Sequence, residues 1–317
     1  MAMQISGVTI QGGMNILPPG GSSPSPGGGG ASNFGYVSGG SYTNTIQKFS
    51  FSSDSNATDV GDLTLARNGA GASSSVSGYT SGGYSSASSS ATNIIDKFSF
   101  SSDGNATDVG DLLSDLIATG NGNSSTDNGY VVGGNLGTPT YAQSPTIQKF
   151  SFSADSNATD VGDLTISVQS TAGQNSSTSG YTSGGASASG DKNTIQKFTF
   201  ASDANATDVG DLSNSIMGGS GQSSSDNGYH SGGGTPSIVD TIDKFPFASD
   251  ANASDVGDLT FADRYKTGQS SSVSGYACGG DESTQDNIEK FSFASDGNAS
   301  DIGDLLSSTG SGAGHQY

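Results

Sequence analysis

The sequence predicts an all-β fold: a six-bladed β-propeller of four-stranded blades, closed by pairing of its N- and C-terminal strands. Three observations carry the prediction. Twelve of the 14 Phe residues fall in six copies of one pattern, F-x-F. The Lys-Phe pairs of those copies, at 48/49, 97/98, 149/150, 197/198, 244/245 and 290/291, are spaced by 49, 52, 48, 47 and 46 residues. The segments between them are short, aromatic or β-branched and are separated by Gly, Asp, Asn and Ser, which is strand and turn chemistry. Composition alone points elsewhere, because a net charge of -20 and runs such as "GGSSPSPGGGG" fall on the disordered side. Solubility gives no reason to place aromatic residues at a fixed period, so the periodicity decides.

Taken in order, residues 1–17, "MAMQISGVTIQGGMNIL", form a separate attachment segment, followed by a Gly/Pro/Ser-rich linker over 18–30 and the propeller over 31–317. Ile5, Val8 and Ile10 are spaced apolar residues of a strand that adds to a partner's sheet. The alternative is a frayed start or the first strand of a neighbouring subdomain. The linker is a tether too poor in apolar side chains to pack. The opening lacks the basic n-region of a secretory signal, and its apolar runs are far short of the roughly 18 residues of a membrane span.

One full unit reads "GYTSGG" (78–83), a variable polar loop, "IIDKFSF" (94–100), "SSDGNATDVGDLL" (101–113) and a small-residue tail before the next "GYVVGG". Helix is excluded, since no window carries an apolar stripe at 3.6 spacing and each interior Gly costs a helix about 1 kcal/mol. Phe49 and Phe51 share one side of an alternating strand, while Ile46 faces the other unless a bulge intervenes. A blade with apolar residues on both faces needs a neighbour on each side, and a ring supplies them. The glycine pairs beginning at 39, 82, 133, 184, 232 and 279 either let strands approach near the crowded centre or turn with φ > 0. Aligning Leu305 with Leu63 stops the last copy just before a "GYxxGG" segment, whereas "FGYVSGG" at 34–40 lacks a preceding partner. Closure therefore sets a strand from about 310–317 beside 34–40 and removes the open edges.

The repeated charges follow D-x-N-x-x-D-x-x-D. The first three positions are Asp54, Asn56 and Asp59; Asp103, Asn105 and Asp108; Asp155, Asn157 and Asp160; Asp203, Asn205 and Asp208; Asp250, Asn252 and Asp255; and Asp296, Asn298 and Asp301. The last Asp of each set brings the total to 18 of the 30 acidic residues. Two readings stand. Asp and Asn accept backbone N–H bonds two or three residues on and make turns; alternatively, their oxygens wrap a Ca²⁺ ion, though without the long loop and final Glu of an EF-hand. Six equal copies favour the turn, and no other cofactor is expected. Lys48, Lys97, Lys149, Lys197, Lys244 and Lys290 are 6 of the 10 basic residues and take a structural role, each reaching an aspartate of its own unit or a carbonyl.

An enzyme is not expected. His230 and His315 stand in different contexts, each as a tolerated strand residue, and the single Cys278 excludes an intrachain disulfide or a cysteine-based metal cluster. Phosphate-binding loops are missing. A pI of about 4.1 opposes nucleic-acid binding, which relies on phosphate neutralisation.

The order of "YxxGG", an aromatic strand, a "D…L" segment and, in "LTLARNGAGASSSVSGYTSGG" (63–83) and "LTFADRYKTGQSSSVSGYACGG" (259–280), an "LxxxR"-like run before "GY" resembles the kelch repeat. The resemblance covers about residues 34–317 and implies a kelch-like propeller. The family's Trp after the glycine pair is absent, and Phe49 or Phe51 and their repeats fill its place. Kelch-like oxidases carry a copper at the hub, but the His and Tyr set it needs is missing here. The Asp-Asn-Ala-Thr-Asp repeats also resemble virion-associated proteins of marine and cyanobacterial tailed phages, and the opening segment is similar to that of fibre-like proteins of those phages. The resemblance implies a virion-surface location after synthesis in the host cytoplasm, with the N-terminal segment joining other virion proteins and the propeller meeting a host-surface glycan or protein. Tyr141, Tyr84 and Tyr42 are candidate glycan contacts, with an ordinary elongated turn as the alternative for Tyr141. The alternatives in function are a capsid decoration protein that binds no receptor and, from another class, a carbohydrate-active propeller enzyme. Membrane insertion is not expected, and the oligomeric state is open.

Overall fold

Six antiparallel sheets surround one axis in a computed structural model that describes residues 33–41, 43–85, 87–117, 122–137, 142–234, 236–281 and 285–316. Ile5, Val8, Ile10, Tyr42 and Tyr141 lie outside these residues, as does the linker. Blade 1 orders its strands from the hub outward as Ala313–Gln316, Phe34–Ser38, Thr45–Ser50 and Thr58–Asp62. Its innermost strand thus comes from the far end of the chain, with Tyr36 opposite His315 in an antiparallel pair. The closure expected from the truncated first and last copies is found, and its physical reason is the unpaired edge it removes.

The other blades run outward in chain order. Blade 2 is Ala70–Ser73, Ser77–Ser81, Ser90–Ser99 and Thr107–Ile117, and blade 3 is Gly122–Ser124, Asn128–Val132, Thr146–Ser151 and Thr159–Asp163. Blade 4 is Ala172–Asn175, Ser179–Ser183, Thr194–Thr199 and Thr207–Asp211. Blade 5 is Ser220–Ser223, Asn227–Ser231, Thr241–Pro246 and Ser254–Asp258; blade 6 is Thr267–Ser270, Ser274–Cys278, Asn287–Ser292 and Ser300–Asp304. No helix occurs among the described residues.

The F-x-F pattern is the contact between blades. Tyr36 of blade 1 packs on Phe98 and Phe100 of blade 2, with ring centroids 5.7 and 4.9 Å apart. The same pairing recurs around the ring until Tyr276 of blade 6 meets Phe49 and Phe51 of blade 1 at 5.7 and 4.4 Å. Ile46 faces the other way, into the cluster of Tyr36, Leu63 and Phe98. Each buried aromatic contributes about 1.5–3 kcal/mol by area alone, so this seam holds neighbouring blades together. The Gly of "GY" follows from it, since a Cβ on Gly35 would stand 2.4 Å from the Phe49 ring that covers it across the strand pair.

The glycine pairs take both of their expected roles. Gly39 and Gly40, at φ 62° and 84°, turn the chain out of the second strand, and a Cβ on Gly40 would stand 2.8 Å from the Gly312 backbone beside the innermost strand. Other glycines stand at the hub: a Cβ on Gly71 would come within 2.3 Å of the Gly314 carbonyl oxygen, and one on Gly221 within 2.1 Å of that of Gly173. A second hub device is a closed cycle of hydrogen bonds. The Ser73 N–H donates to Ser124 Oγ, Ser124 to Asn175 Oδ1, Asn175 to Ser223 Oγ, Ser223 to Ser270 Oγ, Ser270 to Gln316 Oε1, and Gln316 back to Ser73 Oγ, over 2.8–3.3 Å. Each innermost strand, whose inward edge has no strand partner, thereby finds on the next blade an acceptor for one of its own backbone donors.

Candidate interaction rim

Because strands alternate in direction, the chain leaves the second and the outermost strand of every blade at the same rim. The connections between second and third strands and the crossovers to the next blade therefore share one end of the ring. At the other end sit the inner hairpins, which repeat one design: Ser74 N donates to Ser77 O at 2.9 Å, as do Ser125 to Asn128, Ser176 to Ser179, Ser224 to Asn227 and Ser271 to Ser274. Sequence differences between the units concentrate in the first set. Residues 41–44 are "SYTN", 135–145 are "NLGTPTYAQSP" and 186–193 are "ASASGDKN".

These connections give the rim an uneven relief. On blade 2, Tyr84–Ser85 pairs with Ala91 and Ser90, and Asn135–Leu136, from the connection of blade 3, adds to Leu116 and Ile117 of the long outer strand. Blade 4 carries a small hairpin, Ala186–Ser187 with Gly190–Asp191. Tyr84 is half-buried within its strand pair. Exposed apolar side chains on the crossovers are Leu113 at 52 %, Phe261 at 45 % and Leu306 at 52 %. Between blades 4 and 5 the rim opens a cavity of about 350 Å³ lined by Asn214, Ser215, Ile216, Pro236, Ser237 and Val239.

Beneath the rim, the second letter of "I-x-K-F" anchors each crossover. Leu306 N–H donates to Gln47 Oε1 at 2.7 Å and Leu113 N–H to Gln148 Oε1 at 2.7 Å. Thr64, Thr165, Ser213 and Thr260 donate both N–H and hydroxyl to Asp96, Gln196, Asp243 and Glu289. Sequence reasoning missed this position, although its signal was plain: every unit places a carbonyl or carboxylate oxygen there. Two of the three carboxylates have buried cations. Arg67 Nη1 lies 2.7 Å from Asp96 Oδ2 and Lys266 Nζ 2.9 Å from Glu289 Oε2, with all four side chains at most 1 % exposed. Asp243 has only Ser213 as donor on Oδ2 and none on Oδ1, and burial raises its pKa above the ordinary carboxylate value.

Both histidines are buried, and burial lowers each pKa to about 4. The His315 Nδ1 donates to Ala72 O at 3.1 Å while Nε2 faces Ser38 Oγ at 2.8 Å. His230 Nδ1 lies 2.9 Å from Ser183 Oγ, and its Nε2 has no partner. Burial also raises the Cys278 thiol and pushes the Tyr276 hydroxyl up to about 12.

The aspartate segments stand at the outer edge and bridge blades. Asp54 Oδ1 receives Lys290 Nζ of blade 6 at 3.1 Å, and Asn56 Oδ1 accepts the Asp304 N–H of blade 6 at 3.2 Å. Only Asp59 bonds within its own turn, accepting the Gly61 N–H at 3.1 Å. The pattern repeats at the other five joints: Asn105, Asn157, Asn205, Asn252 and Asn298 accept from Asp62, Asp111, Asp163, Asp211 and Asp258 of the preceding blade. Asp108, Asp160, Asp208, Asp255 and Asp301 bond the glycine two residues on. The lysine expectation needs correction. Lys48, Lys97, Lys149, Lys197 and Lys244 reach Asp103, Asp155, Asp203, Asp250 and Asp296 of the next unit, not their own. The reason is geometric, since the loop between third and outermost strands leans over the joint toward the preceding blade. The aspartate side chains are 55–61 % exposed, so these are surface pairs and not buried ones.

No protein-family model matches the chain, and no curated protein does. The six-bladed propeller with terminal closure, and the kelch-like repeat at the level of fold, therefore rest on the strand order itself.

Proposed function

We propose that this chain is a non-enzymatic virion-surface protein whose propeller is an interaction module. In this reading, residues 1–17 join it through the linker to other virion proteins, and the variable rim meets a host-surface glycan or protein, as in a fibre-like or appendage component. One observation carries the interaction reading: the units differ at one rim, while the hub, the outer edge and the opposite hairpins repeat the same bonds. Building a ring requires the repeated bonds but gives no reason for one end to diverge. Divergent connections on a rigid scaffold are where binding residues usually stand. The exposed Leu113, Phe261 and Leu306 and the apolar-walled cavity at Ile216, Pro236 and Val239 supply surface for such contacts. The virion setting rests on the resemblance of the repeats and of the opening segment.

The test replaces residues 84–91 and 135–143 by the shorter blade 1 connection and measures binding to host cells and glycan arrays. Loss of binding with unchanged melting supports the rim. Unchanged binding after every connection has been replaced in turn refutes it, and absence of the chain from purified particles refutes the virion setting separately.

A further inference from the structure

Blade 6 is the one blade in which the described residues bring a buried amine, a buried carboxamide and a buried carboxylate together. Lys266 Nζ lies 2.9 Å from Glu289 Oε2, 3.5 Å from Asn287 Oδ1 and 2.7 Å from Gly279 O. Lys266, Asn287 and Glu289 are all at most 5 % exposed; Asn287 Nδ2 has no hydrogen-bond partner, and Glu289 Oε2 meets Lys266 as an ion pair outside hydrogen-bond geometry. The repeats show that ring building does not require this set. Where blade 6 has Asn287, the others have Thr45, Ile94, Thr146, Thr194 and Thr241; where it has Lys266, four of them have Gly69, Thr171, Gly219 and Gly312. Arg67 and Asp96 form the only other buried ion pair among the described residues, and no carboxamide attends it.

We propose that Lys266 and Asn287 form an intramolecular isopeptide bond assisted by Glu289. The Glu289 carboxylate takes a proton from the Lys266 ammonium, and the freed amine attacks Cγ of Asn287. As the Cγ–Nδ2 bond breaks, Glu289 gives its proton to the departing nitrogen and receives one from the attacking nitrogen. Ammonia leaves, and no oxidant or cofactor is consumed. Nζ need only move from the carboxamide oxygen toward the adjoining carbon, because strand pairing already holds both residues in one sheet. The remaining amide N–H keeps the Gly279 carbonyl as its acceptor. The product replaces a buried charge pair by a neutral amide and covalently ties the start of the innermost strand to the third strand, which favours the step in an interior where uncompensated charge is costly.

The experiment is intact-mass measurement of the folded full-length chain, followed by digestion and fragment sequencing. The expected result is a mass lower by about 17 Da, the ammonia released, and a branched peptide joining the segments that contain Lys266 and Asn287. Asn287→Thr and Glu289→Gln, each the residue found at that place in other blades, are expected to fold and to keep the full mass. Full mass in the folded wild-type chain after prolonged incubation overturns the proposal. So does a loss of ammonia without the branched peptide, as Asn-Gly cyclisation gives, or one that persists in Asn287→Thr.

Discussion

Acidification should unlock this ring through its two histidines. His230 and His315 are buried and neutral, with pKa lowered from 6.5 to about 4. An unfolded chain binds these protons near pH 6.5, whereas the folded chain refuses them until about pH 4. Stability is therefore fully present above pH 6.5 and is lost as pH falls through that window. At about 1.36 kcal/mol per pH unit, each histidine costs about 3 kcal/mol by pH 4, a large part of the roughly 5–15 kcal/mol that holds a typical domain. The substitutions are supplied by the protein itself. The place of His315 is taken by Gln174, Gln222 and Gln269 in other blades, where the amide reaches the next blade's tyrosine carbonyl at 3.0–3.2 Å. The place of His230 is taken by Thr182 in blade 4. Urea unfolding of the wild type, His315→Gln and His230→Thr between pH 7.5 and 4.5 should show a falling midpoint whose slope drops by about half in each variant and nearly vanishes in the double variant. Equal slopes in the wild type and the double variant would refute the assignment and place the acid sensitivity elsewhere.

Asp243 has the opposite sign. Its raised pKa makes the charged form costly above that pKa, so Asp243→Asn should raise the melting midpoint at pH 7 and have little effect at pH 3.5. Gly71→Ala and Gly221→Ala should each cost more than about 2 kcal/mol, since the added Cβ meets backbone oxygen at 2.3 and 2.1 Å; Gly104→Ala, with nothing within 4 Å, should melt like the wild type in the same calorimetry. Lys48→Met should change stability by less than about 1 kcal/mol in denaturant titration, because its pair with Asp103 is exposed. Asp96→Asn, which strips the charge partner from Arg67, should cost about 3 kcal/mol or more. Deleting 313–317 should broaden the thermal transition and promote association by opening an edge beside Phe34–Ser38, while deleting 1–32 should leave the transition unchanged. Exhaustive chelation should leave it unchanged too, and a reproducible calcium-dependent rise in melting temperature would favour an ion over the hydrogen-bonded turn.

The sequence by itself determined blade number, strand composition and closure, because these follow from periodicity. A side chain that recurs every 46 to 52 residues, with aromatics on one face and Ile on the other, can be buried only by a copy of its own unit, and the incomplete first and last copies can be completed only by each other. What a periodic sequence does not carry is which copy a residue meets. Lys48 and Asp54 belong to one unit, and only the lean of the outer loop across the joint separates them into bonds to Asp103 and Lys290. Gly39 and Gly71 are both glycines beside strands, and only the position of the strands relative to the axis makes one a turn and the other a hub contact. The shared rim of the variable connections arises the same way, from strand direction rather than from the residues in the loops. Lys266, Asn287 and Glu289 belong to the same class. In the chain they are scattered among ordinary polar positions, and they converge only because the start of an innermost strand and a third strand of one sheet bring Lys266 Nζ within 3.5 Å of both partners among buried side chains.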